Sequence, residues 1–485
     1  MLLDMTSIVF KSALELGRKL RARKISSREL LGECLAQHAK HNPAINAVIF
    51  TEIERAQKAA AAADRRLKQG TARSAFDGVP MTIKESFDWA GTPSTWGDPA
   101  LKNNIASKDA VALTRMTDAG AVLYGKTNVP LALSDWQSFN AIYGTTNNPW
   151  DVTRTPGGSS GGAAAALATG MSALEVGSDI GASIRNPAHY CGVFGHKPTW
   201  NLLPMRGHAL GGQLTPTDIS VIGPLTRSAE DLETQLRLLA LPDQIEARGF
   251  KLDLPVLHET TQALRIAVWH DQAVCAVSAA VRDRVDAVAA ALAGQGASVD
   301  AQARPDIGIA QSHALFQALL HSAMSARVPD DEFTQMLARA DALAPDDQGP
   351  LAQVLRAQTL RARDWQRLNE QRTRLRWAWQ RFFEQVDFVL TPVMATTAFA
   401  HDHRPFGERT ISVDGASQPY FSQIFWAGLA GVAYLPATVI PAGQGPDGLP
   451  IGVQIIGPAY GDLRCVQLAQ RLEALGFGFV PPPGL

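Results

Sequence analysis

The sequence predicts an α/β protein, on three observations. Helical and strand patterns alternate along 485 residues with little low-complexity sequence and no internal repeat. Between 264 and 300 the strand "LRIAVW", a helix face made by Val277, Val281, Val285, Val288 and Leu292, the stop at Gly294 and the strand "ASVDA" form one βαβ unit, which implies parallel pairing with a crossover helix. Short apolar runs such as "INAVIF" also sit between amphipathic helical stretches, as buried strands do.

From the N-terminal side, "ISSRELLGECLAQHAKH" opens with a capping box, Ser26 to Glu29, and carries Leu30, Cys34 and Leu35 at helical spacing. "INAVIF" (45–50) follows as a strand, and a charged, alanine-rich helix runs to Gly70. "GVPMTIKESFDWAG" (78–91) is a strand with Met81 and Ile83 on one face and Thr82 and Lys84 on the other; a lysine so placed ordinarily faces solvent. "SKDAVALTRMTDAG" is helical, with Val111, Leu113 and Met116 on or near one face and Gly120 as its stop.

"GAVLYGKT" (120–127) then fits the phosphate-loop pattern G-x-x-x-x-G-K-[ST] letter for letter. Its context argues otherwise. Ala121 to Tyr124 form a compact apolar strand that ends at Gly125, and Asn128, Val129 and Pro130 argue against a helix opening at the lysine. No nucleotide site is expected there.

"TPGGSSGGAAAALATG" (155–170) brackets Ser159 and Ser160 with four glycines and runs into an alanine helix, followed by "ALEV" as a strand. Glycines permit close approach of a substrate, and a helix N-terminus directs N–H donors at whatever lies over the serines. The segment matches G-x-S-x-G twice, but that elbow needs a strand just before the serine and "NNPWDVTRTP" is turn-rich. In "EVGSDIGASIRNPAHYCGVFGHKPT" (175–199) a strand runs out at Gly177. A tight turn passes through Asp179, Ile180, Gly181 and Ala182, and Ser183 starts a short helix stopped near Pro187. A serine at such a junction has backbone N–H groups beside its hydroxyl, although it could equally serve as a helix cap.

Farther on, 240–262 and 341–350 read as linkers or surface excursions. Leu351 to Gln385 reads as one helix whose arginines, Arg356 to Arg381, form a solvated outer face opposite Leu368, Leu375, Trp379 and Phe382. "HDH" (401–403) lacks a third and fourth ligand in the sequence pattern, so no metal is expected.

Composition narrows the function. A formal net charge of -1 gives no electrostatic reason to expect nucleic acid or an anionic membrane as partner. The four cysteines, Cys34, Cys191, Cys275 and Cys465, form no C-x-x-C pair, which suggests neither a disulfide framework nor a zinc site and fits a reducing compartment. The N-terminus is interrupted by Asp4, Lys11 and Glu15, and no run is long and uncharged enough to span a bilayer; a cytoplasmic protein is expected.

Taken together, the lysine strand, the glycine/serine segment and the Ser183 turn resemble the amidase signature family in order and spacing. The resemblance runs from about residue 25 to the end and includes "GAVLYGKTN", "NNPWD", "GPLTRSAEDL" and "LPIGVQIIG". It implies a single α/β/α domain over residues 1–485 with a large mixed central sheet flanked by helices. The signature core would span about 78–200, and the substrate-pocket and variable helical segments about 240–430. It implies Ser183 as nucleophile, Ser159 as bridging serine and Lys84 as base, with an oxyanion hole from the backbone N–H groups of Ile180, Gly181, Ala182 and Ser183.

Two residues depart from the family pattern. Ala182 stands where a second glycine is common, and Glu85 where an aspartate is more usual. For the substrate pocket the sequence offers Trp136, Ser160, Tyr143, Phe425 and Trp426, with Trp89, Trp96, Phe139, Tyr420 and Phe421 as further rings; core filling is the alternative for each.

The function implied is hydrolysis of the C–N bond of a small carboxylic amide through a serine acyl-enzyme, with no cofactor and with esters or carbamates as further substrates. The alternative is a glutaminase-type subunit of a glutamyl-tRNA amidotransferase-like complex; a homodimer stays open. Ser-Lys penicillin-recognising enzymes fit less well, since S-x-x-K, S-D-N and K-T-G are missing.

Overall fold

Eight strands form the main sheet in the order β10-β9-β11-β15-β14-β7-β8-β6, and three more form a smaller sheet, β1-β3-β2. In chain order the strands are β1 Val48–Thr51, β2 Pro80–Lys84, β3 Val122–Thr127, β4 Phe139–Asn140, β5 Gly144–Thr145, β6 Glu175–Asp179, β7 Phe194–Lys197 and β8 Val221–Thr226. They continue as β9 Arg265–Val268, β10 Ser298–Asp300, β11 Phe388–Pro392, β12 Thr410–Val413, β13 Ala416–Pro419, β14 Ala437–Gln444 and β15 Pro450–Ile456. β4/β5 and β12/β13 are separate hairpins. The computed structural model describes residues 5–484, so the ends of the single-domain expectation, 1–4 and 485, lie outside it.

The main sheet is mixed. β10 and β11 both pair with β9 in parallel, and the helix Ala279–Gly294 crosses between β9 and β10, so the βαβ expectation holds. The other pairs in this sheet are antiparallel.

Strand alternation sends side chains into two apolar layers. Val389, Ile451 and Val439 face one, where Phe316, Leu319, Trp379 and Leu429 from the helices Ile309–Ser325, Ala362–Phe382 and Ile424–Val432 pack. Leu390, Val453 and Ile440 face the other, covered by Leu232, Val288 and Val466 from the helices Ala229–Leu239, Ala279–Gly294 and Asp462–Ala474. Helices on both faces of a mixed sheet make an α/β/α architecture.

The small sheet meets the edge of the large one. β2 lies beside β6 without a continuous ladder, and side chains bridge the seam: the Thr82 hydroxyl donates to Glu175 at 2.5 Å, and the Lys84 amine donates to Ser178 Oγ at 2.9 Å. That seam positions the site.

The capping box at Ser26 forms as expected, and the helix after it runs to Ile45, where Asn46 takes the left-handed conformation. "GAVLYGKT" is a buried strand, not a phosphate loop. Gly125 is inside β3, not at its end: the β2 register shifts there, and a Cβ would strike the Phe50 carbonyl.

Three further expectations need correction. The helix after Ser183 does not stop at Pro187; it spans Arg185–Cys191, because a proline in the first turn has no intrahelical N–H to lose. The expected single helix from Leu351 to Gln385 is two, Pro350–Gln358 and Ala362–Phe382. The Thr359 hydroxyl bonds back to the Leu355 carbonyl at the first end, and Arg361 is extended. Arg372 is not solvated: it is buried, pairs with Asp218 at 2.8 Å and stacks on Tyr434. Among the described residues, no helix is long and apolar enough to cross a membrane.

Candidate active site

β2 carries Lys84 into the seam, fully buried. Its Nζ donates to Ser159 Oγ at 2.7 Å and to Ser178 Oγ at 2.9 Å. Burial pushes its pKa down to about 7, against the pull of Asp179, Glu175 and Glu85. Glu175 is shifted the other way. Burial raises it to about 8 despite its hydrogen bonds from Thr82 and Val176, so near neutrality this carboxyl does not force a proton onto the lysine.

The glycine/serine segment is folded hard against its surroundings. The Gly158–Ser159 peptide is cis. Gly158 lies against the backbone of Asp135 and Gln137, and Gly162 against that of Asn128, so a Cβ at either would overlap main chain. The Asn186 side chain accepts the Gly158 N–H at 2.8 Å, and Ser138 Oγ bridges the Gly157 carbonyl and the Gly161 N–H. The helix Gly161–Ala168 follows, entirely buried.

Asp179 shapes the turn after β6. Its carboxylate accepts from the N–H groups of Ala182 (2.9 Å), Ile184 (3.1 Å) and Arg185 (3.3 Å), and from the Arg185 side chain at 2.8 and 3.0 Å. Burial alone would raise this acid, but the charge and hydrogen bonds of Arg185 outweigh it and hold the pKa down to about 2. Arg185 is anchored in turn on the Ala427 carbonyl and Gln454. Removing one member of so buried a pair typically costs about 3–5 kcal/mol. The Ser160 N–H donates to the Ser183 carbonyl at 3.1 Å, tying the glycine/serine loop to this turn.

Lys84, Ser159 and Ser183 are thus gathered at one place. Ser159 and Ser183 line a single cavity of about 270 Å³ together with Ser178, Ile180, Trp96, His208 and Arg327. Among the described residues the Ser183 hydroxyl has no hydrogen-bond partner, and neither do the N–H groups of Ile180, Gly181 and Ser183.

The fourth expected oxyanion donor is corrected: the Ala182 N–H is already held by Asp179. Ala182 itself sits at φ 82°, in the left-handed region that costs a non-glycine residue about 1 kcal/mol or more, which accounts physically for the glycine the family prefers there. Its methyl lies in the core and does not line the cavity. Glu85, the other departure, accepts the Thr95 and Trp96 N–H groups at 2.5 and 2.9 Å and so fixes the loop that carries Trp96 into the cavity.

The expected substrate-pocket residues do not line the cavity. Trp136 is buried behind the turn, donating its indole N–H to the Gly181 carbonyl at 2.7 Å. Ser160 is buried at the head of its helix, within 3.4 Å of Ser178 main-chain atoms. Tyr143 belongs to the β4/β5 hairpin, its N–H held by Asn140. Phe425 and Trp426 pack edge to face at 5.0 Å in the core, where large rings bury the most apolar area. Of the other rings, Trp96 does line the cavity.

Sequence reasoning missed Ser178, Thr217, Ser220, His208 and Arg327. Ser178 had a local signal, as a polar residue inside an all-buried strand. The others arrive on loops remote in sequence. At "HDH", Asp402 pairs with Arg404 and His403 stacks on Phe139; among the described residues no cluster of three metal-ligating side chains occurs.

The family model Amidase matches residues 29–466. One of the subunits of the glutamyl-tRNA(Gln) amidotransferase of Anaeromyxobacter sp. (strain K) is 30% identical over 489 residues, covering 97% of this chain and 96% of its own length. A solved structure described as part of a vestigial protein complex that reveals the origins of an s-triazine catabolic enzyme is 28% identical. Its TM-score is 0.80, over 96% of this chain and 99% of that one. The fold is also that of a bacterial aryl acylamidase of the amidase signature enzymes, with a TM-score of 0.80 at 23% identity over 96% of both chains.

Proposed function

This chain belongs to the amidase family of hydrolases acting on C–N bonds, and from that membership we propose that it hydrolyses a small carboxylic amide with Ser183 as nucleophile, Ser159 as proton relay and Lys84 as base. The observation that carries the assignment is the 2.7 Å hydrogen bond from Lys84 to Ser159, at a cavity that Ser159 shares with the unpartnered Ser183 hydroxyl.

A serine hydroxyl is a poor nucleophile until a base takes its proton, and a lysine can do so only when neutral. Burial supplies that condition here, lowering Lys84 to about 7 from a usual value near 10.5. The Ser183 proton passes to Ser159, whose own proton passes to Lys84. The oxygen attacks the amide carbonyl, and the N–H groups of Ile180, Gly181 and Ser183 receive the developing oxyanion. Collapse needs the leaving amine protonated, and the same relay run backwards delivers that proton. Water then hydrolyses the acyl-enzyme by the same base.

The relay gives a test. An amine departs only with a proton, whereas a nitrophenolate leaves without one, so Ser159→Ala reduces amide hydrolysis more than hydrolysis of an ester with the same acyl group. We expect the amide-to-ester ratio of kcat/KM to fall by about tenfold or more. Equal losses on both substrates would remove the leaving-group role of Ser159.

A second reading has comparable support: a glutaminase-type component working within a multi-chain amidotransferase, as the names of the curated relatives suggest. Assaying the purified chain alone against aryl, aliphatic and glutamine amides separates the two. Turnover of simple amides without partners favours the stand-alone hydrolase; activity confined to glutamine and to partner-containing mixtures favours the amidotransferase component.

A further inference from the structure

Arg327 enters the cavity that holds Ser159 and Ser183 from the segment just after the helix Ile309–Ser325. Its guanidinium lies 4.3 Å from the ring centre of Trp96, and among the described residues its one side-chain hydrogen bond is a long one, 3.5 Å, to Thr217 Oγ1. Burial lowers its pKa, yet an arginine stays charged throughout the working range.

The contrast with other arginines is what makes this one informative. Among the described residues four arginines are buried, and each has close carboxylate or carbonyl partners, although Arg227 Nε is left without one. Arg185, Arg372 and Arg409 pair with Asp179, Asp218 and Asp135 at 2.8, 2.8 and 2.5 Å, and Arg227 donates to the carbonyls of Leu167, Ser172 and Lys11. Half-buried Arg327 has no carboxylate within ion-pairing distance among the described residues. Glu332, which lines the same cavity, is exposed and does not pair with it.

The ring beneath the guanidinium is held in place. Trp96 sits at φ 54°, fixed by its N–H to Glu85, the residue beside Lys84, so the platform under Arg327 is built from the same strand end as the base. A second unclaimed polar group shares the cavity. His208 is 2% exposed, and its Nε2 meets Ser86 Oγ at 3.0 Å. Its Nδ1 has no partner, and burial together with the charges of Lys84 and Arg327 keeps the ring neutral. Between these polar groups the wall is apolar, made by Ala132, Leu133, Ala323, Met324 and Val328.

We infer that Arg327 is the anion-recognition group of this cavity and that the amide hydrolysed carries a free carboxylate. The inference rests on the reading of the cavity as the hydrolytic site. A planar guanidinium, stacked and half-buried but unpaired, matches a carboxylate in a two-pronged hydrogen bond. The substrate's anion supplies the kind of partner that Asp179, Asp218 and Asp135 give to Arg185, Arg372 and Arg409.

Three carboxylate amides, malonamate, succinamate and glutaramate, each compared with the amide in which a methyl group replaces the carboxylate (propanamide, butanamide, pentanamide), test this. We expect one acid to exceed its methyl counterpart in kcat/KM by about a hundredfold. Arg327→Gln should bring that ratio close to one, and Arg327→Lys should keep part of it. The ratio is internal to each variant, so an unfolded fraction cancels. Ratios near one in the unmodified chain, or a preference that survives Arg327→Gln, would overturn the inference while leaving amide hydrolysis standing. If none of the amides is turned over, calorimetry with the same three acids decides. Binding that Arg327→Gln abolishes supports the anion site although the hydrolytic reading has failed; absence of both binding and turnover overturns the site.

Discussion

Ser183→Ala abolishes turnover, with kcat/KM for any amide substrate down by at least about 10⁴-fold, and the variant no longer takes a fluorophosphonate label. Ser183 has an unpartnered hydroxyl at the cavity, adjoining backbone N–H groups without partners, whereas Ser159 and Ser178 both accept hydrogen bonds from Lys84, and Ser160 is buried away from the cavity. The fold tolerates the change, because the Ser183 side chain carries no hydrogen bond among the described residues. Its carbonyl, which accepts the Ser160 N–H, is unaltered. Circular dichroism and melting temperature should therefore match those of the unmodified chain while activity vanishes.

Lys84→Ala should lower kcat/KM by several orders of magnitude, and Lys84→Arg should not rescue it, since arginine cannot become a neutral base. The pH profile gives the sign. Lys84 acts when deprotonated, so kcat/KM rises with pH, passes half-maximum near the pKa of about 7 and levels off above it. A rate that rises only near pH 10 would mean that the lysine behaves as an exposed amine. Residual activity in Lys84→Ala should lose this limb of the profile. Near-normal activity in Lys84→Arg would reduce the lysine to an electrostatic or structural element.

Much of this site was legible in the sequence, because the chemistry sits on contiguous punctuated segments. Glycines around Ser159 mark places where main chain crosses main chain, as Gly158 against Gln137 and Gly162 against Asn128 bear out. The Asp179–Ser183 turn reads from its own residues. Lys84 alone would have been assigned to solvent; only its place among the other two pieces moved it inward, and it is fully buried.

The rest of the pocket depends on tertiary assembly. Arg327 and His208 come from loops more than a hundred residues apart and carry no local signal. The aromatic residues offered as pocket walls went mainly to the core, where the same apolar area that suits a ligand suits a neighbouring helix. Arg372 shows the opposite error: its helical charge pattern resembles a wet surface, but Asp218 and Tyr434 on other segments turn it inward. The break at Thr359–Arg361 was hidden because neither a glycine nor a proline marks it.

Covalent trapping tests the assignment of the nucleophile most directly. The unmodified chain is treated with a fluorophosphonate, digested, and the modified residue located by tandem mass spectrometry, with Lys84→Ala run in parallel. The label should sit on Ser183, one per chain, and its rate of attachment should fall sharply when Lys84 is removed. A label on Ser159, Ser160 or Ser178, or on Ser183 at a rate indifferent to Lys84, would contradict the account.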